Sequence, residues 1–129
     1  MDPLWTHYQN VLYPSVYDME KIENRKMIDA LKKKGDALDI PREIEHSFRF
    51  RSASSRNDFL KALSLEGFKI ISMPKEKNAD ETFPFALVLS RKDPPQQIKM
   101  DQMTQTLLKE ALRVNGRYDG WQTFIISKD

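Results

Sequence analysis

Two histidines, His7 and His46, are the side chains of this sequence best suited to moving a proton near neutral pH. Neither stands in a spacing that builds a catalytic device. There is no His-Glu-x-x-His helix for zinc, no Gly-x-Ser-x-Gly elbow for a serine nucleophile, and no Gly-rich phosphate loop. Aspartates and glutamates are scattered, without the pairing that metal binding or acid–base work requires. Cysteine is absent, which removes disulfides, thiolate chemistry and cysteine zinc sites together. The expectation is a chain with no catalytic residue, no metal site and no cofactor, one that binds and is not an enzyme. His46 falls on the apolar side of an alternating run. Its expected role is a neutral, hydrogen-bonded core ring, not a ligand or base.

What remains is recognition chemistry, concentrated in Tyr118-Asp119-Gly120-Trp121. Three of the four glycines, Gly35, Gly67 and Gly116, follow helical patterns and read as C-caps. Gly120 sits instead in a run of strand formers, where glycine marks a bulge or a close approach. Tyr118 and Trp121 flank it, each a large ring with one polar tip. In a flat strand they would face opposite ways, and a bulge at Gly120 puts both on one side. Asp119 is expected to accept backbone N–H bonds there. Two readings stay open: a bulged strand entry whose rings finish the core, or an exposed recognition patch. Glu45, Arg49 and Arg51 point away from the apolar side of their strand and add charge. The candidate partner-binding residues are therefore Tyr118, Asp119, Gly120, Trp121, Glu45, Arg49 and Arg51.

The elements that must position them follow from periodicity. Residues 1–17 form an arm with Trp5, Tyr8, Tyr13 and Tyr17, suited to covering its own domain or to a dimer contact. Residues 18–129 form one domain with a leading helix, Asp18 to Lys34. Asp18 is its expected cap, and Met27, Ile28 and Leu31 are its apolar stripe. Lys32-Lys33-Lys34 lies where a helix C-terminus favours cations, which explains it without nucleic acid. Ile44 to Arg51 alternates strictly, a half-buried strand. Ser55 with Asp58 reads as a capping box before a helix that buries Phe59, Leu60, Ala62 and Leu63 and ends at Gly67. Strands follow at Phe68–Met73 and Phe83–Ser90, separated by a polar loop. A long helix from Ile98 to Asn115 carries Met100, Met103, Leu107, Ala111 and Val114 on one face. The last strand runs on from Arg117 toward Ser127.

That order predicts an α+β fold, a ferredoxin-like βαββαβ sandwich of four antiparallel strands and two helices, plus the extra N-terminal helix. The first and third strands are expected to be central, with the terminal strand beside the first. With 40% hydrophobic and 31% charged residues over 129 positions, a single globular domain is expected. No apolar run is long enough to span a membrane, and the first residues lack a secretory pattern. With no cysteine, this fits a cytoplasmic protein. A net charge of +2 gives little reason to expect nucleic acid.

Tyr118-Asp119-Gly120-Trp121-Gln122-Thr123 resembles the C-terminal signature of the regulator of ribonuclease E activity B family. Ile44-Glu45-His46, then a polar helix, then Gly67-Phe68-Lys69-Ile70, matches the same family in order. Leu31 through Gly35-Asp36 is similar to the end of its first helix. The resemblance covers residues 20–127 and implies the sandwich fold and a protein partner, a ribonuclease E-type enzyme or another RNA-processing protein. Family members are markedly acidic, whereas this chain is slightly basic. The alternative is a nucleic-acid-binding module of the same fold. The outward residues Glu45, Ser47, Arg49 and Arg51 offer no aromatic platform for bases, which favours protein.

Overall fold

The computed structural model describes residues 15–64, 67–74 and 82–127. The aromatic arm expected at 1–17 lies outside them except for Ser15, Val16 and Tyr17. In order come α1 (Val16–Lys33), β1 (Arg42–Phe50), α2 (Ala53–Leu63), β2 (Lys69–Ser72), β3 (Phe85–Asp93), α3 (Gln97–Arg113) and β4 (Arg117–Gln122). The strands form one antiparallel sheet in the order β2-β3-β1-β4. This is the expected sandwich, with β1 and β3 central and β4 beside β1.

The alternation of β1 sets the register. Arg42, Ile44, His46, Phe48 and Phe50 are buried, and each residue between them is half-exposed. A slip of one residue would turn every one of these side chains to the wrong face. Phe48 packs its ring 4.8 Å from Phe59 of α2 and 5.0 Å from Tyr118 of β4. Ile44, Phe48, Leu87, Leu107 and Ala111 belong to one core, with Phe85 half-buried at its margin. Burying each large side chain contributes about 1.5–3 kcal/mol. α1 packs on α3, a placement periodicity alone did not supply.

Several boundaries differ from expectation. Ser15 caps α1, accepting from the Asp18 N–H at 3.2 Å, so Asp18 is the third helical residue and not the cap. Ser52 likewise caps α2, accepting from Ser55 at 3.0 Å, one turn before the expected Ser55 box. In both cases the earlier hydroxyl wins because its own backbone is extended. Ala62 is exposed, not buried. Gly35 does follow α1, but the left-handed residue past α2 is Ser64 and past α3 is Asn115, where Gly67 and Gly116 were expected to serve. Gly116 is needed for another reason: a Cβ there would lie 2.7 Å from the Phe50 ring. β4 stops at Gln122, short of Ser127. Beyond it the chain turns to meet the α1–β1 linker, where Ala37 N–H bonds Ile126 O at 2.7 Å.

A buried ion pair holds that closure. Arg42 Nη1 donates to Asp36 Oδ2 at 2.5 Å and to Phe124 O at 3.1 Å. The same guanidinium donates to Ala37 O and Ile40 O. Asp36 Oδ2 also accepts from the Ile126 N–H at 3.1 Å. Both side chains are fully buried, and the hydrogen bonds that tie them to Phe124, Ala37, Ile40 and Ile126 matter more than the bare attraction of the charges.

Candidate functional site

The Tyr-Asp-Gly-Trp run enters β4 through a bulge. Ser47 pairs with Gly120 and Phe48 with Tyr118, which leaves Asp119 as the extra residue. Gly120 has φ of +106°, a conformation that side chains with a Cβ rarely adopt. The extra residue shifts the parity of the strand, so Tyr118 and Trp121 lie on the same face, opposite Phe48 and His46. That face is the buried one. Both rings are only 8% exposed and belong to the core.

Their polar tips are satisfied inside. Trp121 Nε1 donates to Asn24 Oδ1 of α1 at 2.8 Å. The Tyr118 hydroxyl shares a 2.8 Å hydrogen bond with His46 Nδ1. His46 is fully buried, and desolvation, with Arg91 nearby, pushes its pKa down to about 3. Its ring is therefore neutral at physiological pH, in the core position its parity predicted. Burial, with Glu20 close by, raises the Tyr118 hydroxyl well above its ordinary value. Glu20 is itself raised, by burial and then by Glu23. Glu20, Glu23 and Met27 of α1 face the Tyr118–Trp121 run across a shallow groove.

The outward side of the motif is Asp119 and Gly120. Asp119 does not take the expected backbone N–H bonds as its carboxylate partners. It binds guanidiniums instead: Arg117 Nε at 2.7 Å and Arg49 Nε at 3.3 Å. This places Asp119, Arg49 and Arg117 together on the sheet face opposite the helices. Glu45 shares that face and accepts from Gln122 Nε2 at 3.0 Å. Arg51, just past the end of β1, is exposed and sits 4.8 Å from the centre of the Phe83 ring.

The structure thus divides the candidates. Asp119, Gly120, Glu45, Arg49 and Arg51 are brought to one open face, while Tyr118 and Trp121 shape it from behind. Sequence reasoning missed Arg117 and Phe83. Arg117 is four residues from Trp121 and flags itself only once the bulge fixes its register opposite Arg49. Among the described residues, no group of three histidine, aspartate or glutamate side chains is placed to hold a metal ion. No described helix is long and apolar enough to cross a membrane.

Residues 21–123 match the family model described as regulator of ribonuclease activity B. That span takes in the sheet, the bulge and most of α1. No curated protein matches the chain.

Proposed function

The chain belongs to the regulator of ribonuclease activity B family, and we propose that it is a non-catalytic regulator that occupies a protein segment of a ribonuclease E-type partner. The observation that carries this reading is the family match across residues 21–123, which includes the whole of the bulged Tyr118–Trp121 run. The contact surface in this reading is the open face of the sheet, with Glu45, Arg49, Arg51, Asp119 and Gly120. Tyr118 and Trp121 act from the core side by fixing the bulge that presents Asp119. A rigid sheet holds such groups in place at little entropic cost on binding. The cytoplasm is the compartment in which such a partner would be met.

The test is direct. The purified chain is titrated into an RNA-cleavage assay with the host's ribonuclease E-type enzyme, and the enzyme is captured from lysate before and after nuclease treatment. A dose-dependent change in cleavage and capture that survives nuclease are expected. Capture that vanishes with the RNA would replace this reading with the nucleic-acid-binding one.

A further inference from the structure

A cleft of about 530 Å³ runs along the flank of α3 beside the end of α2. The α3 residues that line it, Lys99, Gln102, Met103, Thr106, Leu107 and Glu110, step by three and one. That spacing marks a single flank over three turns, about 16 Å long. Leu63 and Phe68 line the cleft across from them. Leu63, Phe68, Met103 and Leu107 all belong to the core, so the bottom is apolar, while Gln102 and Thr106 stand exposed on the rim. The volume falls among those of pockets that enclose small ligands, roughly 300–1,000 Å³. A second cavity, of about 370 Å³, lies between Tyr17 at the start of α1 and Gln102, Gln105, Thr106 and Lys109 of α3. Gln102 and Thr106 line both, so one ridge of α3 separates the two.

We infer that the occupant of this cleft is the chain's own N-terminal segment, with Trp5 and Tyr8 seated against Met103 and Leu107. Fourteen residues precede Ser15, the cap of α1, and six of them are large and apolar or aromatic: Leu4, Trp5, Tyr8, Val11, Leu12 and Tyr13. Such side chains gain by leaving water. Trp5, Tyr8 and Leu12 are three and four residues apart, the spacing of neighbours on one helix face. The segment begins at the second cavity, since Ser15 is two residues from Tyr17. Packed helices lie about 8–10 Å apart, so crossing α3 from α1 into the cleft takes about 15 Å. Trp5 stands ten residues before Ser15, which reaches about 33 Å extended and about 15 Å as a helix. The indole N–H and the phenol need polar partners at the edge of an apolar site, and Gln102 and Thr106 stand there. The exposed stripe of Val16, Met19 and Ile22 on α1 is a weaker seat, because a convex helix surface covers a ring on one side only. A molecule that used the cleft would first have to displace this segment.

The experiment uses the full chain with ¹³C-labelled methionine methyls. The chain has no cysteine, so Gln9→Cys takes a single nitroxide label within the segment. Met103 reports the cleft and Met19 the α1 stripe. The label is expected to broaden the Met103 methyl signal. Ala62 is exposed and lines the cleft, so Ala62→Phe fills it from the surface and should restore that signal. Trp5→Ala, which removes the principal anchor, should restore it as well. Iodide quenching of tryptophan emission gives a second readout in the unlabelled chain. Trp121 is buried, so the emission that iodide reaches belongs to Trp5. Little quenching is expected in wild type and clear quenching in Ala62→Phe. Thermal melts close to wild type show that each variant is folded.

A sharp Met103 signal beside the label would overturn the inference, as would broadening confined to Met19, which would put the segment on α1. Mixing nitroxide-labelled chain that carries no ¹³C with ¹³C-labelled chain that carries no nitroxide separates self from partner copy. Broadening of Met103 in that mixture would assign the cleft to the segment of a second copy and overturn the intramolecular seat. Ready quenching of Trp5 in the wild-type chain would overturn it too.

Discussion

Trp121 donates its indole N–H to Asn24 Oδ1 across 2.8 Å, joining the last strand to the middle of the first helix. The same amide donates to Asp101 Oδ1 and Thr104 Oγ1 of α3, each at 2.9 Å. One fully buried side chain thus ties three elements together. Removing it leaves a buried indole N–H without its acceptor, the costly half of hydrogen bonding. Asn24→Ala is expected to lose about 2–4 kcal/mol in urea unfolding. A loss below about 0.5 kcal/mol would show that α1 is held by apolar contact alone.

His46 makes stability depend on pH. Its folded pKa, pushed down to about 3 by desolvation and then by Arg91, lies below the ordinary value of 6.5. As pH falls below 6.5 the unfolded chain takes up a proton that the native ring refuses. Stability therefore drops on acidification, by up to about 1.4 kcal/mol per pH unit until the folded pKa is reached. His46→Gln should flatten the curve between about pH 6.5 and pH 4 relative to wild type, at a modest loss at neutral pH. Parallel curves for the two proteins would rule this ring out as the source.

Two glycines should fail in different ways. At Gly120 a Cβ meets nothing within 4 Å, so Gly120→Ala pays only for the left-handed backbone, about 1–3 kcal/mol. At Gly116 the backbone is ordinary, but a Cβ would lie 2.7 Å from the Phe50 ring. A double-mutant cycle with Phe50→Leu should therefore show favourable coupling to Gly116→Ala and little to Gly120→Ala. Equal coupling at both positions would contradict this division.

Adjacent residues of β1 should differ sharply. Phe48 is 1% exposed and meets the rings of Phe59 and Tyr118. Phe48→Ala is expected to cost about 3–5 kcal/mol. Ser47 faces the open side, and Ser47→Ala should change stability by no more than about 0.5 kcal/mol. Denaturant midpoints measured on the pair check both, and a comparable loss at Ser47 would mean that this face is not open.

The fold was legible because its signals were local and repeated. β1 alternates over its whole length, and α3 carries Met100, Met103, Leu107 and Ala111 at helical spacing. The bulge was legible from one glycine among strand formers. The direction of the rings was not, because a bulge fixes only that Tyr118 and Trp121 share a face. Which face depends on pairing with Phe48 and His46, seventy residues earlier in the chain. The roles of Asp119 and Arg117 needed the same register. Asn24 was hidden for a similar reason, since an asparagine among helical charges carries no mark of its three distant partners. The caps were misplaced by one turn where two hydroxyls competed, as with Ser52 and Ser55.

The closure between Asp36, Arg42 and the segment 124–126 has a bearing on synthesis. A chain leaving the ribosome exposes Asp36 and Arg42 long before Phe124 and Ile126 exist. β1 can find β3 first, since Phe85–Asp93 emerges ahead of Arg117–Gln122. Its other edge must wait for β4, and the Arg42 guanidinium stays hydrated until the tail arrives. The nascent molecule thus carries a central strand with one edge unpaired through the making of α3. During that interval the first strand is the place where a chaperone would engage and where two growing copies would mispair.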